Sequence, residues 1–291
     1  MPELPEVETT VKGLRRTILG LTIKNVWTDL ATTDKRQKDA VANPKYFKIF
    51  KKEVLNKKIL SIERRAKNIL INISERRTIL IHMKMTGHLL YGDYKKDPRN
   101  RFIHFVATFN NGEKLSFSDM RKFGKITLLD TKTAHDTKHL NNIGPEPLDP
   151  KFTIEKFAKR LSASGARKIK TVLMDQSIIA GIGNIYSDEI LWRAGVHPKR
   201  IVLTLLRQGF GGQELKRIYR AIKDTLTKGI NFGGDSTSDY RNINGLPGKF
   251  QLHHQAYRRT GEKCRKRNCK GIIKRKVVNG RSAHFCSRHQ K

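Results

Sequence analysis

No cysteine occurs in the first 263 residues of this 291-residue chain; Cys264, Cys269 and Cys286 are its full complement. An odd count confined to one end, in a chain expected to stay unsecreted, argues against a disulfide framework and raises metal binding. The N-terminus is acidic and has no apolar core segment, so no signal peptide is expected, and no run approaches membrane-spanning length. Acidic residues are scarce. Only 26 Asp and Glu stand against 60 Lys and Arg, for a net charge of +34 spread along the whole chain. A folded protein this basic repels itself unless a polyanion neutralises it, so nucleic acid is the first candidate partner. An anionic membrane surface would want a basic amphipathic helix or a lipidation signal, and neither stands out. A generally basic cytoplasmic proteome could account for part of the excess. There are no internal repeats.

Enough apolar sequence is present, at 37%, for more than one core. After an opening helical stretch, LTIKNVW (21–27), ILSIER (59–64), NILINIS (68–74), RTILIHMKM (77–85), FIHFVATF (102–109) and KLSFS (114–118) are short apolar or alternating runs that predict strands, with a hairpin turn at Asn111-Gly112. Such spacing suggests a sandwich or barrel. A Thr-, Asp-, Asn-, Gly- and Pro-rich stretch ending GPEPLDPK follows. Beyond it, IEKFAKRL, TVLMDQSII, IYSDEILWRAG and LKRIYRAIKDTL carry helical periodicity. The expected division is a strand-rich domain over 1–131, a linker over 132–151, a helical domain with a Gly-rich loop over 152–250, and a basic cysteine-bearing segment over 251–291.

In that last segment CRKRNC and CSRH form two ligand pairs, Cys264/Cys269 and Cys286/His289, on either side of a hairpin-sized stretch. Two tight pairs so separated suit one tetrahedral structural zinc. The intervening KGIIKRKVVNGRSAHF reads as two strands joined at Asn279-Gly280, presenting Arg275, Lys276 and Arg281 to phosphates. The first gap is wider than the commonest one, the fourth ligand is a histidine, and His284 is a rival for it. The plain alternative is three free thiols in a basic tail.

The opening MPELPEVE admits two readings. Proline early in a helix and carboxylates in its first turn are ordinary helix-start features. Alternatively, removal of Met1 makes Pro2 a free secondary amine, with an α-amino pKa near ~8 and hence easier to deprotonate than lysine.

Taken together, MPELPEVE, ERRAKNILI, IHMKMTGHL, SDMRKFG, IGPEPL, LMDQSIIAGIGNIYSDEIL and the cysteine segment resemble the formamidopyrimidine-DNA glycosylases, in the wider group that includes endonuclease VIII. Leu4 is closer to the formamidopyrimidine branch. The resemblance implies an α+β multidomain fold: an N-terminal β-sandwich flanked by helices, a helix–two-turn–helix domain and a C-terminal zinc-finger β-hairpin. It implies a monomeric, cytoplasmic enzyme of base excision repair that acts on duplex DNA containing a damaged base. It makes Pro2 the nucleophile that forms an iminium, Glu3 the general acid and base, and Glu6 the residue that orients the site. Lys67 would assist β-elimination and Arg281 δ-elimination. Met85, Arg121 and Phe123 would fill the gap left by a flipped base, although Met85 and Phe123 taken blind read as core. His82, His104, Lys170 and Asn184 would contact DNA, and Asn242, Asn244 and Gly245 would belong to a lesion-recognition loop. Phe102 stands where the family commonly has a second histidine. The implied activity is excision of oxidised purines such as 8-oxoguanine and formamidopyrimidines, followed by β,δ-elimination. Oxidised pyrimidines as substrates, a non-catalytic binder of damaged DNA, and a general RNA-associated basic protein are the competing readings.

Overall fold

The computed structural model describes residues 1–94, 100–207 and 212–291, and the chain divides into two compact units. The first comprises Met1–Asn141 and Phe232–Lys249; the second comprises Asn142–Asn231 and Phe250–Lys291.

The first unit is a β-sandwich. One sheet takes the order β1-β6-β7-β5, from strands Ile23–Thr28 (β1), His88–Tyr91 (β5), Ile103–Phe109 (β6) and Lys114–Ser118 (β7). The other takes β2-β3-β4-β8, from Ile59–Arg65 (β2), Asn68–Ile73 (β3), Arg77–His82 (β4) and Lys125–Asp130 (β8). Every pairing is antiparallel. The inward residues of both sheets, among them Ile69, Ile71, Ile81, Phe105, Phe117 and Ile126, share one core with Val7, Val11 and Leu14 of helix Leu4–Thr17 (α1). Val7, Val11 and Leu14 recur at helical spacing, which aims a single stripe of α1 into the sandwich. A second helix, Pro44–Val54 (α2), has Pro44 at its first position and Asn43 as N-cap to the Tyr46 N–H. Three elements, α2, β5 and β8, go beyond the sequence-based expectation: lysines dilute the apolar pattern of α2, β5 has only four residues, and β8 lies between polar loops.

The second unit is helical, with α3 (Ile154–Ser162), α4 (Ile169–Leu173), α5 (Asn184–Ala194), α6 (Val202–Leu206) and α7 (Gln213–Asn231). The expected helix over 171–179 stops at Leu173. The reason is local: the Asp175 carboxylate accepts the backbone N–H and hydroxyl of Ser177, and the Gln176 amide bonds Met174, Gly181 and Ile182. Side chains that satisfy backbone groups this way compete with helix. The unit ends in a hairpin, β9 (Ile273–Val278) and β10 (Arg281–Cys286), turned at Asn279 and Gly280, which both have positive φ. No helix among the described residues is long and apolar enough to cross a membrane.

The Gly-rich segment does not group with the helical unit, where the sequence reading put it. Phe232–Lys249 packs into the first unit. The Tyr91 N–H and the Tyr94 hydroxyl both donate to the Ile243 carbonyl, and Ile243 lies against Gly13 of α1. A segment without strand or helix pairing must find backbone partners elsewhere, and the sandwich supplies them.

Candidate functional site

The start of α1 is the most constrained point of the first unit. Pro2, Glu3 and Glu6 are all buried. Glu6 Oε2 accepts the backbone N–H of Glu3 at 2.7 Å, and its Oε1 accepts the backbone N–H of Asp235 at 2.7 Å. One carboxylate thus caps the helix and fastens the 232–249 segment to it. The Tyr240 hydroxyl donates to the Glu6 carbonyl at 3.0 Å, and burial pushes its pKa up, so it stays a donor. Gly234, at φ +87°, admits this approach: a Cβ there would stand 2.9 Å from Glu6 Cγ. Glu8 faces another way and pairs with Arg64 at 2.8 Å, tying α1 to strand β2.

Lys67 follows Ala66, whose φ of +54° makes the tight turn between β2 and β3. Asn68 pairs in register with His82 across β3 and β4. Withdrawal from water, then the charges of Lys84 and Lys67, push the His82 pKa down to about 3. The Lys84 backbone N–H donates to His82 Nδ1 at 3.0 Å, which leaves any proton of the neutral ring on Nε2.

Met85, Arg121 and Phe123 come together at the surface. Met85 is 42% and Phe123 47% exposed, so neither is core. The Arg121 guanidinium lies over the Phe123 ring at 4.6 Å, with Nη1 3.1 Å from Met85 Sδ. A residue outside the sequence-based expectations organises this cluster. The buried Asp119 carboxylate accepts the Thr86 hydroxyl and the backbone N–H groups of Arg121 and Gly124, the last at 2.7 Å. It ties the loop of Met85 to the loop of Arg121 and Phe123. Beside them opens a cleft of about 780 Å³, lined by Lys84, Arg121, Lys122 and Lys125 among others. Its cations suit a phosphate backbone.

Several expected contacts sit differently. His104 is buried, with Nδ1 3.0 Å from both oxygens of Asp29, because its strand turns it inward. Asn242 accepts the N–H groups of Asn244 and Leu246 with its side chain, closing its own loop, and Gly245 supplies the φ of +76° that closure needs. Asn244 is exposed. In the second unit Lys170, expected to contact DNA, is 1% exposed and bonded within the fold. Asn184 opens α5 and donates to the Ser282 hydroxyl at 3.2 Å. Arg281 is exposed at the hairpin tip.

Cys264, Cys269, Cys286 and His289 converge, with their ligand atoms all within 4.8 Å of one another. His289 Nε2 donates to the Trp192 carbonyl at 3.0 Å, which turns Nδ1 towards Cys264 Sγ at 3.3 Å. That bond fixes the tautomer that binds a metal through Nδ1. His284, the rival ligand, is not in this converging group; its Nδ1 is bonded to Asp188. Gly271 lies where a Cβ would stand 2.9 Å from Arg288 Cβ and 3.2 Å from Cys269 Sγ. Burial pushes the Cys264 thiol up to about 11, an environment that a cation would reverse. The four residues fit a metal ion.

The sandwich thus offers a capped proline–carboxylate start and an exposed Met–Arg–Phe cluster, and the helical unit ends in a hairpin beside four residues that fit a metal ion. The comparisons define it further. Residues 1–126 match the formamidopyrimidine-DNA glycosylase N-terminal domain, and residues 143–241 match the formamidopyrimidine-DNA glycosylase H2TH domain. The chain is 40% identical to the formamidopyrimidine-DNA glycosylase of Pelotomaculum thermopropionicum, covering 100% of this chain and 99% of that one. It is 38% identical to that of Herpetosiphon aurantiacus, covering 98% of each. Among solved structures it resembles the Lactococcus lactis Fpg in complex with DNA containing an abasic site, with TM-score 0.85, 31% identity and 99% of each chain covered. The Thermus thermophilus MutM (Fpg) protein is also similar, with TM-score 0.82 and 32% identity over 99% of this chain and 98% of that one. The chain belongs to the formamidopyrimidine-DNA glycosylase family.

His82 gives a direct electrostatic test. A free histidine titrates near ~6.5. With a folded value of about 3, the unfolded chain binds the extra proton first, so this group's contribution to stability is lost as pH falls between those values. Its imidazole NMR signals should stay flat from neutral pH to below pH 4.5; a midpoint near 6 would contradict the half-buried, lysine-flanked setting.

Proposed function

We propose that this protein is a bifunctional DNA glycosylase and abasic-site lyase that removes oxidised purines from duplex DNA through an iminium on Pro2 and nicks the strand by β,δ-elimination. The observation that carries the reading is the buried start of α1, where Glu6 fixes the backbone beside Pro2 and Glu3. Met1 is exposed, which suits its removal to free the Pro2 amine. That secondary amine attacks the anomeric carbon of the damaged nucleotide as the bond to the base breaks, and its N–H proton is lost as the base leaves. Glu3 then delivers a proton to the sugar ring oxygen, the bond from that oxygen to the anomeric carbon breaks, and the proline nitrogen lone pair forms the iminium. The iminium acidifies the neighbouring sugar proton, and Lys67 assists the elimination that follows. Arg281 acts at the second elimination.

The Met85, Arg121 and Phe123 cluster suits the gap left by an extruded base. Apolar side chains fill the stack while the guanidinium hydrogen-bonds the orphaned partner base. A similar Lactococcus lactis Fpg variant forms a complex with Fapy-dG-containing DNA, which favours a purine lesion for this chain too. The lining of the 780 Å³ cleft and the net charge of +34 support a duplex partner.

The metal is read as one structural zinc. Three thiolates and one imidazole, from the segments before β9 and at the end of β10, make a closed donor set that suits tetrahedral zinc, so the ion would hold those segments to the hairpin rather than do chemistry. Metal analysis should return one zinc per chain, and His289→Ala should surrender it to a chelator concentration that the unsubstituted protein withstands. Equal retention would remove His289 from the ligand set.

Substrate class is tested with duplexes carrying 8-oxoguanine opposite cytosine or an oxidised pyrimidine opposite adenine. The purine lesion should be excised faster, leaving a gap with phosphate at both ends, and Glu3→Gln should slow excision by about 10²–10⁴-fold while the damaged duplex is still bound. Faster excision of the pyrimidine would favour the endonuclease VIII-like alternative, and binding without excision would favour a non-catalytic binder.

A further inference from the structure

The helical unit contains a buried ionic network that the proposed chemistry does not use. Lys170 on α4 donates from Nζ to the Asn184 carbonyl at 3.3 Å, the Ser187 hydroxyl at 3.0 Å and Asp188 Oδ1 at 2.6 Å. Three protons meet three acceptors. The other oxygen of Asp188 accepts twice from β10: the backbone N–H of His284 at 2.9 Å and its ring Nδ1–H at 2.9 Å. A carboxylate only accepts, so the ring proton sits on Nδ1. Lys170, Asp188 and His284 are all buried, and the edge of the His284 ring meets Tyr257 at 5.1 Å between centroids.

An ion pair in this setting is sensitive to geometry, because removing one partner leaves the other charge unmatched. The network therefore admits one placement of β10 on α5. Arg281 lies on the same strand, three residues before His284, where it pairs with Val278 as His284 pairs with Arg275. Two other side-chain ties join this hairpin to the helical residues and are neutral or exposed: Asn184 to the Ser282 hydroxyl at 3.2 Å and Lys168 to Asn279 at 3.2 Å.

We infer that Asp188 and His284 are positioning residues: the Asp188 carboxylate, charge-matched by Lys170, grips both the backbone and the ring of His284 and so sets where the hairpin presents Arg281. The functional consequence rests on the proposed role of Arg281 in the second elimination, whereas the structural one does not. His284→Phe keeps the backbone N–H donor and the ring volume but deletes the ring N–H. Asp188→Asn is the poorer probe, because it strips the buried Lys170 ammonium of its counter-charge.

The experiment uses the full-length, metal-loaded protein and has two readouts. One is the ratio of β,δ- to β-elimination products on a duplex with a preformed abasic site, with single-turnover base excision measured in parallel. The other is amide hydrogen exchange of residues 279–284. Loss of a hydrogen bond to a charged group corresponds to about a tenfold change in an equilibrium. In His284→Phe the product ratio should fall about tenfold and hairpin exchange should rise about tenfold, while excision stays within about twofold. His284→Asn, which restores a side-chain N–H, should recover most of both. Unchanged exchange, or excision and product ratio falling together without rescue by asparagine, would overturn the inference. If the unsubstituted protein makes no β,δ product, the proposed lyase route fails, and the exchange measurement alone decides whether Asp188 and His284 hold the hairpin.

Discussion

A carboxylate buried against backbone N–H groups fixes those groups, because moving away would leave a charge with neither water nor a donor. The rest of the structure depends on that constraint at Glu6. Its two oxygens take N–H groups from positions 3 and 235, so a helix start and a loop more than 200 residues away become one assembly. Tyr240 and Gly234 complete the contact, one by donating to the Glu6 carbonyl and the other by leaving room. The proline–carboxylate chemistry proposed for this protein requires a helix terminus that does not fray, and termini fray unless something caps them.

The same device recurs. Asp119 accepts from two loops and holds the exposed Met85–Arg121–Phe123 cluster. Glu189 accepts the backbone N–H groups of Gln255, Ala256 and Tyr257, and burial raises its pKa, the sign of a carboxylate deep in the fold. Its neighbour Asp188 receives Lys170 and His284. In a chain with only 26 acidic residues against 60 basic ones, these four organise pieces of structure rather than balance surface charge. The unmatched basic residues are left facing outward, where a polyanion can answer them.

Much of this was legible in the sequence, for identifiable reasons. The apolar run NILINIS reports a strand buried on both faces, the pattern of FIHFVATF reports another strand, and Asn279-Gly280 reports a hairpin because both residues tolerate positive φ. The four metal-site residues were readable because two ligand pairs on tight turns leave a spacing signature. What was not readable is long-range. His104 looked like a DNA contact because Asp29, which holds it inside the fold, lies 75 residues earlier. Nothing in KIKTVLMD shows that Asp188 will receive Lys170. The 232–249 segment looked like part of the helical domain it follows, since its attachment to Glu6, Tyr91 and Tyr94 leaves no local pattern. Glu8 likewise finds its partner, Arg64, 56 residues away.

The account turns on Pro2 being the reacting group. Borohydride reduction during reaction with a duplex carrying 8-oxoguanine opposite cytosine, followed by peptide mass spectrometry of the trapped complex, addresses that directly. The account predicts DNA joined to the amine of Pro2 in a chain lacking Met1. An adduct on Lys67 or another lysine would contradict it, as would complete excision of the base with no trapped complex at all.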